Sequence, residues 1–156
     1  MAVMKRVCLG GTFDILHAGH ARLLEAALGA GERLVIGLAT DEFAASRRPP
    51  DRELAPYGER EAALREWFAA RGALERIEIV ALVEEWGPAA EGVDIDGIVV
   101  SEGTRDAAGR LNALRTARGL PPLEIIEVPH LLAEDGLPLS ASRIRAGEVD
   151  TEGQRQ

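Results

Sequence analysis

Residues 7–20 read Val-Cys-Leu-Gly-Gly-Thr-Phe-Asp-Ile-Leu-His-Ala-Gly-His. The apolar run ending at Gly10-Gly11 has the composition of a buried strand, and the glycines after it let the backbone turn and approach a ligand closely. A helix is expected to open near His17, with its unpaired N–H groups and positive dipole end facing that turn, an arrangement suited to phosphate. His17 and His20, two of the chain's three histidines, then fall at i, i+3 on the first helical turn. Their rings project from one side. Gly19 between them leaves room for a nucleotide, and Thr12 adds a hydroxyl.

Outward from this stretch the chain alternates. Apolar runs at 3–11, 33–40, 76–82, 96–101 and 123–129 read as five strands, several of them near-continuous Val/Ile/Leu as in strands covered on both faces. Helical patterns separate them. In 17–30, Leu23, Leu24, Ala27 and Leu28 share a face. In 56–71, Leu64, Trp67 and Phe68 do so, with Pro56 as a first-turn residue. In 104–118, Ala107, Leu111 and Leu114 repeat the spacing, and Gly119 with Pro121-Pro122 ends it. A last short helix runs from near Ser140 to Gly147. This order predicts an α/β fold: a single Rossmann-like, doubly wound domain with a five-stranded parallel sheet and helices on both faces. Residues 1–150 form that domain and 151–156 a polar C-terminal tail. Ligands bind such sheets beyond the carboxyl ends of the strands, where strand order reverses. The quoted stretch lies at one such end.

The length of 156 residues suits one core, and 46% apolar residues argue against disorder. No window approaches the roughly 18 apolar residues of a membrane span, and the N-terminus lacks the apolar core of a signal peptide. A net charge of −8 disfavours nucleic acid as a partner. Small anions are still admitted, because charges are screened over about 8 Å and local groups decide. Cys8 is the single cysteine and reads as a small core residue; no internal disulfide is possible, which fits the cytoplasm.

Other readings of the glycines fail. The chain has no P-loop and no G-x-G-x-x-G fingerprint. A zinc site would need more ligands than His130 and a strand-buried Cys8 offer, so no metal-ligating set is expected. "GTFDILHAGH" resembles the T/H-x-G-H motif of the cytidylyl- and adenylyltransferase superfamily, with His17, Gly19 and His20 at its spacing. "LSASRIR" (139–145) resembles that superfamily's second motif, "ISSTxIR".

"APYGEREAALREWF" (55–68), "DIDGIVVSEGT" (94–104), "GRLNALRTARGLPPLEIIEVP" (109–129) and "AEDGLPLSASRIRAGEVD" (133–150) resemble the phosphopantetheine adenylyltransferases of archaeal and eukaryotic type. The resemblance implies transfer of AMP from ATP, with Mg²⁺, to 4′-phosphopantetheine, giving dephospho-coenzyme A and pyrophosphate. It implies that His20 stabilises charge at the α-phosphate and that Thr12 orients both phosphates. Gly10, Gly11, Phe13, His17 and Gly19 would line the nucleotide. Glu102, with Thr104, would lie near it, and Arg105 is a weaker phosphate candidate. Ser140, Ser142 and Arg143 would cradle the ATP phosphates, with Arg143 favoured over Arg145. Asp14 would cap the local turn or hold a water on Mg²⁺. One positive pocket is thus expected to join the bend after the first strand to the starts of two helices.

Two positions depart from the family pattern. Ala141 replaces a serine of the second motif. The lysine cluster that binds acceptor phosphate corresponds here to "SRRPPDRE" (46–53), with Arg47 and Arg48 as the candidates. Arg can grip phosphate bidentately but does not simply replace Lys. Trp67 and Phe68 read as core, while Trp86 is left between the acceptor pocket and helix packing. The alternatives are a nucleotidyltransferase using FMN or a polyol phosphate, and a non-catalytic nucleotide sensor. Only six aromatic residues (three Phe, two Trp, one Tyr) speak against a flavin pocket.

Overall fold

The structure, a computed structural model, describes residues 4–47, 53–92, 94–137 and 139–156. Five parallel strands form one sheet: β1 (Met4–Gly11), β2 (Gly31–Ala39), β3 (Ile77–Leu82), β4 (Gly97–Ser101) and β5 (Glu124–Val128). The helices are α1 (Ala18–Ala30), α2 (Asp41–Ser46), α3 (Tyr57–Ala69), α4 (Arg105–Ala117) and α5 (Ala141–Arg145). The expected Rossmann-like architecture is present.

The strand order is β3-β2-β1-β4-β5. The chain winds outward from β1 through β2 to β3, then crosses to β4 and β5 on the other side. β1 and β4 are neighbours whose following connections leave in opposite directions, so a crevice opens beyond Gly11 and Ser101.

Alternation along the strands covers both faces. Val7, Leu9, Leu34, Ile36, Leu38 and Val99 pack with Leu24 and Ala27 of α1 and Leu64 and Phe68 of α3. Cys8, Val35, Ile98 and Val100 pack on the opposite face with Ala108 and Leu111 of α4. Each fully buried Leu or Phe here contributes about 1.5–3 kcal/mol by leaving water. Burial pushes the Cys8 thiol up to about 12, so it stays a neutral core group. Among the described residues no helix is long and apolar enough to cross a membrane.

One detail differs from the pattern reading. The buried face of α4 is Ala108, Leu111 and Arg115, whereas Leu114 is 37% exposed. Arg115 turns inward because its Nε and Nη1 donate to the carbonyl oxygens of Pro121, Ala89 and Gly92. These are loop groups that no ladder satisfies. The polar tail at 151–156 folds back on the domain. Thr151 O accepts the amide of Ala18 at 2.9 Å, Gly153 O accepts that of Glu134, and Val149 bridges Arg155.

Candidate active site

Beyond β1 the backbone bends sharply. Phe13 has φ +50°, the left-handed value in this segment, at a cost of about 1–2 kcal/mol for a residue with a Cβ. Its buried ring lies under the bend: a Cβ on Gly11 would sit 3.2 Å from Phe13 Cε2. The same ring meets His20 at a centroid separation of 5.2 Å.

The two histidines build the start of α1 between them. His17 is the N-cap residue, and its Nδ1 accepts the amides of Gly19 (3.1 Å) and His20 (3.3 Å). His20 Nδ1 accepts the His17 amide in return (3.3 Å), a capping box made of two imidazoles. Gly19 leaves room for the His17 ring: a Cβ there would lie 3.0 Å from it and press it aside. The rings stack at 3.8 Å. Because each Nδ1 is used as an acceptor, Nε2 carries the proton on both rings. Burial lowers the His17 pKa to about 4. Burial and the neighbouring His17 lower that of His20 to about 3, against smaller opposing effects from the Ile15 backbone and Asp14. Both rings are therefore neutral at pH 7, each carrying an Nε2–H.

Two cavities adjoin at this bend. The smaller, about 340 Å³, is lined by Thr12, Asp14, His17, His20, His130 and Ser140, among others. The larger, about 470 Å³, has walls from Phe43, Arg47, Leu82, Trp86 and Ala89. Gly10, Gly11, Thr12, Leu23 and Ser101 line both. Both volumes lie within the roughly 300–1,000 Å³ of small-molecule sites.

The expected residues divide among several places. Gly10, Gly11, Thr12, Phe13, His17, Gly19, His20 and Ser140 all line the smaller cavity. Ser140 also caps α5, its Oγ accepting the Arg143 amide at 3.3 Å. Ser142 lies in α5, and its side chain falls outside what the structure describes. Arg47 and Trp86 line the larger cavity. Arg48 lies outside the described residues. Arg143 lines neither cavity: it pairs with Asp135 and approaches Glu148 at 3.8 Å. Glu102 is exposed and holds the loop after β5, its Oε1 accepting the His130 amide at 3.0 Å. Arg105 lines neither cavity, and Thr104 lines the larger one.

Three residues escaped the sequence reading. His130 lines the smaller cavity, so all three histidines of the chain contribute to its walls. Its position just after β5, at the carboxyl edge, is the signal that marks it. Arg145, passed over in favour of Arg143, grips Asp14 bidentately, and hydrogen bonding to that carboxylate raises the guanidinium pKa. Asp14 also accepts the Ala55 amide at 2.9 Å, which ties residue 55 to this loop. Arg60, which the sequence pattern does not single out, is buried behind Thr12. Nothing in a helical period distinguishes either Arg from a solvated one.

The pocket differs from expectation in charge. Among the described residues, no Arg or Lys lines the smaller cavity. Imidazole N–H groups, hydroxyls and backbone amides supply its donors. No group of three or more metal-binding side chains gathers among the described residues either.

Comparisons with known proteins agree with this geometry. The family model described as cytidylyltransferase-like matches residues 8–147. A protein of Methanopyrus kandleri named phosphopantetheine adenylyltransferase is 45% identical, over 96% of this chain and 94% of its own. A protein of the same name from Methanosarcina mazei is 39% identical, over 96% of each chain. A crystal structure of an Archaeoglobus fulgidus protein of unknown function superposes with a TM-score of 0.70 at 32% identity, covering 80% of this chain and 89% of that one. A fold, a first motif and a second motif meeting at one crevice, and a match across nearly the whole length, all lead to one conclusion: this chain belongs to the cytidylyltransferase-like family of nucleotidyltransferases.

Proposed function

We propose that the chain transfers the adenylyl group of ATP to 4′-phosphopantetheine, forming dephospho-coenzyme A and releasing pyrophosphate. One observation carries this reading: two adjoining cavities share the wall at residues 10–12. A triphosphate in one and an acceptor phosphate in the other meet at Thr12. The relatives' shared name supports the choice of acceptor. So does the shape of the larger cavity, whose apolar sides at Phe43, Leu82 and Trp86 suit an extended, mostly uncharged arm. Arg47 at its rim suits the phosphate on that arm.

The chemistry needs little from side chains beyond placement. A phosphate monoester has a second pKa of about 6 and is mostly dianionic at pH 7, so it attacks without a general base. Its oxygen forms a bond to the α-phosphorus in line with the breaking bond to the β-phosphate oxygen, and pyrophosphate leaves. Holding the two phosphates in register supplies up to about 7–11 kcal/mol. A preorganised donor aimed at the developing charge adds about 3–4 kcal/mol. In this reading His20 Nε2–H is that donor, Thr12 orients both phosphates, and His17, His130 and Ser140 receive the rest of the triphosphate. Magnesium enters on the substrate as MgATP. The reading sets the enzyme in the cytoplasm, in keeping with a single cysteine, and without a nucleic-acid partner, in keeping with its −8 charge.

The test is pyrophosphate release from ATP with 4′-phosphopantetheine, FMN or glycerol 3-phosphate offered separately. Turnover with the first alone is expected. Turnover only with another acceptor overturns the acceptor assignment, and tight ATP binding without any turnover turns the chain into a nucleotide sensor.

A further inference from the structure

Arg60 is 1% exposed, on a helix that lines neither cavity, yet its guanidinium is spread under the active-site wall. Nη1 donates to Thr12 O (2.9 Å) and Ala39 O (2.7 Å). Nε donates to Ala55 O (2.7 Å), and Nη2 to Asp41 Oδ1 (2.6 Å). We propose that Arg60 is a positioning residue for the transfer step, which fixes Thr12 from behind and sets the spacing between the two cavities.

The placement argues for more than stability. Thr12 lies just past Gly11, where β1 and its ladder end, and just before the left-handed Phe13. The bond that the structure gives its carbonyl comes from Arg60. Ala39 closes β2, and Asp41 opens α2, which carries Phe43, Ala44 and Arg47 into the larger cavity. One side chain therefore joins the shared wall to the acceptor wall. It is linked onward as well: Ala55, whose carbonyl Arg60 holds, gives its amide to Asp14, and Asp14 grips Arg145 of the second motif. Lysine cannot reproduce this. Its donors sit on one atom, whereas the fork of Arg separates them over the width of a guanidinium. A shift of about 1 Å in Thr12 misaligns the reacting phosphates and costs up to about a hundredfold in rate.

This inference rests on the proposed reaction, and the experiment keeps the two apart. Wild-type turnover tests the reaction; the ratio of variant to wild type, taken with whichever acceptor is used, tests Arg60. Arg60→Lys is compared with Arg76→Lys. Arg76 likewise clamps three carbonyls (Glu32, Leu28 and Gly31), but at the opposite end of the sheet. Rates are measured well below each melting temperature. Arg60→Lys is expected to lower kcat about tenfold or more, with KM for ATP changed less than about threefold. Arg76→Lys is expected to lower the melting temperature while leaving kcat within about twofold. If Arg60→Lys keeps kcat within twofold, or if Arg76→Lys loses as much, Arg60 is only a structural group. Should Arg60→Lys not fold, Asp41→Ala loosens the same guanidinium from its 56%-exposed partner. A kcat loss of about threefold or more there supports the role, and an unchanged kcat overturns it.

Discussion

Asp14 and Arg145, 131 residues apart in the chain, face each other as a bidentate pair: Nε to Oδ2 at 3.1 Å and Nη2 to Oδ1 at 3.0 Å. The Asp14 side chain is 1% exposed and that of Arg145 28%. This pair joins the loop after β1 to the helix of the second motif, and Arg145 Nη1 extends it to Glu53 at 2.9 Å.

Breaking one side of the pair strands the other. Fully buried pairs lose about 3–5 kcal/mol on removal of one partner, and the exposure of Arg145 reduces this to about 1–3 kcal/mol. Asp14→Asn and Arg145→Gln are each expected to destabilise by that amount in urea unfolding. The double variant should recover at least about 1 kcal/mol of the sum. Additive losses would show that the two motifs are not energetically joined here.

His20 and His17 separate by chemistry. His20→Ala is expected to lower kcat by about 10²–10³ with a smaller change in ATP affinity. His17→Asn keeps a good N-cap acceptor but removes the Nε2–H donor. Its stability should stay within about 0.5 kcal/mol of wild type, whereas His17→Ala loses about 0.5–2 kcal/mol. ATP binding, read by calorimetry, should weaken in both. Full ATP affinity in His17→Asn would reduce His17 to a cap.

The lowered histidine pKa values give stability a direction with pH. In the unfolded chain these groups bind protons near 6.5; in the fold they do so only near 4 and 3. Between those limits the unfolded state holds more protons, so stability rises with pH. The contribution is complete above about pH 6.5 and is lost as pH falls toward 4. Unfolding free energies from pH 8 to 4.5 should fall on the acid side, and His17→Asn should flatten that slope. An unchanged slope in the variant would show that the histidines do not drive it.

The fold was legible because its signals are local. Val7, Cys8 and Leu9, or Ile98, Val99 and Val100, read as strands buried on both faces, and glycines and prolines mark the helix ends. α2 is too short for a helical period, and only the Thr40 cap, whose Oγ1 accepts the Phe43 amide, announces it. At the site, the glycine bend and both histidines could be read because backbone geometry and ligand chemistry restrict which residues fit there. The buried Arg60 and Arg115, and the ion-paired Arg145, could not. Their inward turn depends on carbonyl groups and carboxylates that come together only when distant segments fold.

Arg47 tests the division between acceptor and nucleotide. It lines the larger cavity only and lies over the Phe43 ring at 5.4 Å. A charge-assisted bond to phosphate is worth about 1.5–3 kcal/mol, so Arg47→Ala should raise KM for the acceptor about tenfold or more while ATP affinity holds. Equal weakening of both substrates would remove Arg47 from the acceptor side.

The central claim is that one crevice holds ATP against the bend at residues 10–12 and leaves the neighbouring cavity for the acceptor. A crystal structure of the complex with MgATP tests it most directly. The expected result is an α-phosphate oxygen within about 3.2 Å of His20 Nε2, with the triphosphate running between Thr12 and Ser140. A nucleotide seated among Leu82 and Trp86 in the larger cavity, or bound outside both, would contradict it.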